Sequence, residues 1–212
     1  LLWRVFPEAL LPTHASGAPS PSDAALAVQR LSTTAHWSLP VTLPSGPLTL
    51  LISQATPPVF DGAEDRNGKR NHDENALWLH HIEGRLGTPP AGPFVLAFGA
   101  NLDPADGAGR REVMQALLAH PKLQDPLPKS KGAAAATTAD HLGDPALDTA
   151  DWAEPTADTF GPGNMRVDFL LPSADVTVTD AGVFWPALPS SDHALALAAS
   201  RHRLVWTDIR LP

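Results

Sequence analysis

Hydrophobic and polar positions fall along this chain in short blocks of differing period. PLTLLISQ (47–54) is a continuous apolar run of strand length, and FVLAF (94–98) is another. Runs of this kind suit strands buried on both faces. RVDFLLP (166–172), DVTVTDAGVFW (175–185) and RHRLVWTDIRL (201–211) also read as strands. Helical spacing marks three other stretches. SDAALAVQRL (22–31) has a Ser/Asp start and suits a short helix. NHDENALWLHHIEG (71–84) predicts the clearest one: Asn71 can cap it, Glu74 completes a capping box and Gly84 ends it. Trp78 and Ile82, with Leu79, would form its buried stripe. RREVMQALLAH (110–120) would turn Val113, Met114, Leu117 and Leu118 inward.

Between these blocks, PTHASGAPSPSD (12–23) and PLPKSKGAAAATTADHLGDP (126–145) lack apolar periodicity and read as loops. The second, extended over 126–160, is expected to be long and mobile, with KGAAAATTAD (131–140) its simplest flexible part. Strands with interspersed helices predict a layered α/β (α+β) domain spanning 1–212.

A chain of 212 residues can bury one substantial core, and 43% hydrophobic with 18% charged residues describes a folded domain. The net charge of −8 excludes a broad electrostatic grip on nucleic acid. EDRNGKRN (64–71) is the one dense basic stretch. It reads equally as a phosphate-binding loop using Arg66, Lys69 and Arg70, or as a turn around Asn67-Gly68 braced by its own ion pairs. With no cysteine, there is neither a disulfide nor a thiolate metal site. No apolar run approaches the roughly 20 residues of a membrane span. The opening LLWRVFPEALLP reads as a start inside a domain.

Candidate chemistry gathers at strand ends: Ser53-Gln54, Gly99-Ala100-Asn101, and Ser200-Arg201-His202. Asp168 lies inside an apolar strand, where an ionised carboxylate needs a partner. Two other groupings read blandly. Ser191-Asp192-His193 suits a helix start. His72, His80, His81 and Glu83 cannot share one helix face and suit a solvated helix surface.

TPPVFDGAEDRNGKRNHDE (56–74), NLDPADG (101–107), HPKLQDP (120–126), DPALDTADW (144–152), GPGNMRVDFLLPS (161–173), GVFWP (182–186) and RHRLVW (201–206) together resemble the endonuclease/exonuclease/phosphatase superfamily. More narrowly, they are similar to a bacterial, often exported branch, and that likeness with the absence of thiols favours an exported location. The resemblance covers most of 47–212 in order. It implies a four-layer αββα sandwich, of which this chain supplies mainly the later half, and hydrolysis of phosphate esters around magnesium. In that chemistry the metal neutralises phosphate charge while carboxylates and histidines handle water and protons.

Carried over by position, Asn101, Asp168 and His202 match the family pattern. Gln54 stands where a histidine is expected, Gly99 where an acid is expected, and Arg201 where the carboxylate before the last histidine is expected. Asp103 is no obvious substitute acid. The cation at Arg201 is expected to disfavour protonation of His202. The segments that supply the family's metal-binding Asn and Glu have no match, so no metal ligand is assigned. The expected function is therefore a catalytically inactive relative kept as a structural or binding subunit. The alternative is a divergent magnesium-dependent phosphodiesterase, phosphatase or nuclease whose first half is supplied elsewhere. Either way, a partner chain or a missing N-terminal segment is expected to cover an apolar sheet face.

Overall fold

In the computed structural model, which describes residues 1–152 and 161–212, the two continuous apolar runs become adjacent strands. In chain order, α1 (Asp23–Val28) precedes β1 (His36–Leu43) and β2 (Gly46–Gln54). Then come α2 (Arg66–Ile82), β3 (Phe94–Gly99), α3 (Glu112–Leu118) and α4 (Lys131–Ala136). The short β4 (Ala150–Asp151) and β5 (Asn164–Met165) lead to β6 (Asp168–Pro172), β7 (Thr177–Phe184), α5 (Asp192–Ala199) and β8 (Leu204–Arg210). The main sheet has the order β1-β2-β3-β6, with β2 and β3 parallel and the outer pairs antiparallel. β7 pairs with β8, and β4 with β5.

Alternation along the strands divides the main sheet into two faces. Leu51, Leu96, Phe98, Phe169 and Leu171 point to one side and pack on Trp78 and Ile82 of α2 and on Met114 and Leu117 of α3. Trp3, Phe6 and Leu31 close this core from the N-terminal segment. On the opposite side, Trp37 aligns with Ile52, Ala97 and Leu170 across the four strands, and Leu39 aligns with Leu50 and Val95. Trp37 is 61% and Leu39 48% exposed there, so this apolar face is incompletely covered. The β7–β8 hairpin buries Val183 beside Trp185 and Ala133 of α4. It leaves Leu204 and Trp206 partly in solvent.

Several sequence expectations need correction. α2 begins at Arg66, not Asn71, because Asp65, in the left-handed region at φ 51°, ends the preceding loop. Asn67 and Gly68 therefore lie in the first helical turn and make no separate turn. Asn71 and Glu74 are buried mid-helix and form no capping box. Gly84, at φ 79°, does stand just past the helix end. His80 is buried against Phe6, with ring centroids 4.9 Å apart, and His81 Nδ1 bonds the Leu86 carbonyl at 2.9 Å. The solvated surface expected for that pair is thus replaced by packing.

β1 escaped the sequence reading because HWSLPVTL carries proline and is mostly exposed, as an edge strand permits. Part of KGAAAATTAD is the helix α4, capped by Ser130 Oγ accepting from Ala133 N. Its Gly132 lies so close to the Trp185 carbonyl that a Cβ would collide with backbone. Of the loop expected over 126–160, residues 153–160 lie outside the described residues. α5 starts at Asp192 as expected, although Ser191 makes no side-chain cap bond.

Candidate functional site

Strand register alone assembles three of the predicted positions. Gln54 of β2 pairs with Gly99 of β3, and Gly99 pairs with Asp168 of β6. Paired residues share a face, so these three form a row across the end of the sheet. His202, just before β8, completes the group: its Nδ1 lies 2.8 Å from Asp168 Oδ2.

Thr149 braces this pair. Its Oγ1 donates to Asp168 Oδ2 at 3.0 Å and accepts from the Val167 and Asp168 amides, both at 3.0 Å. Thr149 lies within DPALDTADW, but that stretch gives a lone threonine no role, since it carries no periodic signal. Trp152 stands edge-on to the imidazole with ring centroids 5.3 Å apart.

The carboxylate that partners the imidazole is therefore Asp168, not a chain neighbour of His202. Its hydrogen bond raises the His202 pKa above the ordinary 6.5, outweighing burial and the Arg203 guanidinium. This reverses the expected effect of the neighbouring cation. Arg201 instead contributes its carbonyl, which accepts from Asp151 N at 3.1 Å. A raised folded value means that the pair's stabilisation is complete below about pH 6.5 and fades as pH climbs through the folded value. An NMR titration should place His202 above the free imidazole value, and Asp168→Asn should bring it down. An unchanged His202 titration in that variant would refute the pairing.

Asn101 behaves differently. Its backbone is left-handed at φ 49°, and its Nδ2 donates to the Ala55 carbonyl at 2.7 Å. It borders a cavity of about 510 Å³ lined by Pro57, Val59, Trp152, Met165 and Val167. The Asp168–His202 pair borders a neighbouring cavity of about 270 Å³ together with Gly99. Val167 lines the first and its chain neighbour Asp168 the second.

The basic stretch is committed to the fold. Arg70 Nε donates to the Leu31 carbonyl at 2.8 Å, and its terminal nitrogen to that of Arg30 at 2.6 Å. Lys69 Nζ donates to the Glu64 carbonyl at 2.9 Å. Arg66 lies beside Gln29, whose amide, with its oxygen turned inward, accepts from it at 3.0 Å.

Magnesium demands several oxygen ligands in near-octahedral order. A Cβ at Gly99 would fall on the end of the Gln54 side chain, so an uncharged amide occupies the room an acid there would use. Asp103 is buried, with its two oxygens taken by the Ala105, Asp106 and Arg166 amides at 2.7, 2.9 and 2.6 Å. Glu74 is buried with its oxygens on Thr33 and Thr56. Among the described residues no group of three or more His, Asp or Glu side chains could hold a metal ion. Among the described residues, the donor set does not fit magnesium.

Similar architectures exist among solved structures. An endonuclease/exonuclease/phosphatase from Beutenbergia cavernae superposes with a TM-score of 0.52 at 19% identity, over 82% of this chain and 38% of that one. A family protein from Leptotrichia buccalis gives 0.47 at 15% identity, over 81% and 52% of the two chains. A mannosyl-6-phosphatase from Bacteroides thetaiotaomicron gives 0.45 at 14% identity, over 77% and 51%. The chain thus spans between about two fifths and half the length of these proteins. No curated protein matches it. The family model described as Endonuclease/Exonuclease/phosphatase family matches residues 11–193, most of the sequence, and the chain belongs to that family.

Proposed function

We propose that this chain is a non-hydrolytic member of the family, kept as a binding or structural unit rather than as a magnesium-dependent esterase. The observation that carries the reading is the Gln54–Gly99 pair. An amide fills the place of a carboxylate, and neither residue can hold a cation strongly or transfer a proton. Loss of even one member of a cooperating catalytic set typically lowers rates by orders of magnitude. The exposed Trp37 and Leu39 beside Leu50 and Ile52 support the structural side of the reading, because soluble monomers seldom leave such a face bare. A partner chain, or a further segment of polypeptide, would cover it.

The second reading is a divergent magnesium-dependent phosphoesterase. The Asp168–His202 pair favours it, since that pair holds an imidazole of raised pKa beside a cavity. One experiment separates the two. With magnesium and bis(p-nitrophenyl) phosphate, product should form no faster than in buffer, for both the parent chain and His202→Ala. Magnesium-dependent turnover that disappears in His202→Ala would establish the esterase and end the first reading. The partner requirement has its own check: a stable monomer in light scattering contradicts it.

A further inference from the structure

The larger cavity has features that neither hydrolysis nor a bare scaffold requires. Its volume of about 510 Å³ falls within the usual range of small-molecule sites. Its lining includes the 57–60 loop, Asn101, Trp152 and Met165. Phe60 stands at the rim, 91% exposed, with its backbone in the left-handed region at φ 68°. A bulky residue adopts that conformation only at a cost, and one so exposed gains little packing in return.

The loop is nevertheless held in this form. Asn67 Nδ2 donates to the carbonyls of Val59 and Phe60 at 2.7 and 3.4 Å, and Asn67 N donates to Asp61 Oδ2 at 2.5 Å. Asn101, which also lines the cavity, is left-handed too. Strain held at two lining positions of one cavity is characteristic of ligand sites.

The lining also indicates what could bind. Two aromatic rings and three prolines present flat apolar surface, and among the described residues no Lys, Arg or His lines the cavity. Asp103, the one charged residue among the described lining, has both oxygens occupied by backbone amides. Little is left to recognise charge, whereas Phe60 and Trp152 can stack on a ring. We propose that this cleft binds the flat, uncharged apolar ring of a small molecule, gripped between Phe60 and Trp152. The site stands whether or not the neighbouring Asp168–His202 pair hydrolyses anything.

The test uses 2-naphthol as the ring probe, inorganic phosphate as an anion without a ring, and EDTA throughout to silence metal chemistry. Saturable binding of 2-naphthol, seen by calorimetry, is expected to survive a large excess of phosphate. Phe60→Gly should weaken it at least tenfold while raising the melting temperature, because glycine relieves the strained backbone. Trp152→Ala should weaken it similarly. A residue kept only for the fold would not lose binding as stability rises. Absent saturable binding, displacement by phosphate, or full affinity in both variants would overturn the proposal. Because no turnover is measured here, none of these results bears on the non-hydrolytic reading.

Discussion

Replacing Glu74 by alanine is expected to lower the unfolding free energy by about 3–5 kcal/mol, because buried donors left without acceptors cost about 1–3 kcal/mol each. Glu74 is completely buried in the middle of α2. Its Oε1 accepts from Thr33 N at 2.5 Å and Thr33 Oγ1 at 2.7 Å, and its Oε2 accepts from Thr56 N at 2.6 Å. Thr33 precedes β1 and Thr56 follows β2, so one carboxylate fastens both ends of the hairpin to the helix. Burial pushes the Glu74 carboxyl upward, against the pull of these donors and of Arg70. Alanine strands all three donors and opens a cavity. Glu74→Gln should fall between, since the amide keeps the volume and one acceptor but turns an NH₂ toward a donor. Urea denaturation would measure both, and a loss below about 1 kcal/mol for the alanine variant would show that the clamp is dispensable.

Why this clamp was illegible in the sequence follows from α2 itself. NHDEN looks like a helix start, since Asn, Asp and Glu favour caps and first turns. In the fold, four of these five residues, all but His72, are buried mid-helix because each has a distant partner. Asn71 Nδ2 donates to the Thr56 and Ala100 carbonyls at 2.7 and 2.8 Å, and Asp73 Oδ2 accepts from Trp3 Nε1 at 2.6 Å. Partners 15 to 70 residues away leave no local period to read. The apolar runs were legible for the opposite reason. Strand 94–98 needs only its neighbours' hydrophobicity, and its burial on both sides follows from composition.

The site was legible by position and illegible by geometry. The strand-end residues Gln54, Gly99 and Asp168 converge because strand register brings them into one row. What the sequence could not convey is pairing across space. Arg201 stands beside His202 in the chain, yet Asp168, 34 residues away, makes the contact with the imidazole. At Gly99 the end of the neighbouring Gln54 side chain lies where a Cβ would fall. One contact ties a histidine to a carboxylate, and the other sets an amide beside a bare glycine backbone. Both join residues far apart in the chain, which no local stretch of sequence displays.

Asp103 supplies the second large effect. Asp103→Ala is expected to lower stability by about 2–4 kcal/mol, through the stranding of buried amides. The carboxylate is 4% exposed, and three backbone amides, those of Ala105, Asp106 and Arg166, point at it. It therefore pins the loop after β3 to the segment entering β6. That segment is itself anchored by the bidentate pair of Arg166 with Asp125 at 2.8 and 2.6 Å, and by the Arg166 guanidinium over Phe169 at 4.7 Å. Further along the same loop, Asp106 accepts from the Leu142 and Gly143 amides at 2.8 and 2.9 Å. Beside it, His141 faces Asp148 at 2.9 Å and the Gly143 carbonyl at 3.2 Å, an arrangement that uses both ring nitrogens. Asp103→Asn should recover part of the lost stability and leave the His202 titration where it was, because the loop carboxylate serves backbone amides and not the imidazole. If Asp103 were instead an acid of the reacting centre, the asparagine variant would keep the fold's full stability and lose magnesium-dependent turnover. Denaturation and the esterase assay, run on that one variant, separate the two outcomes.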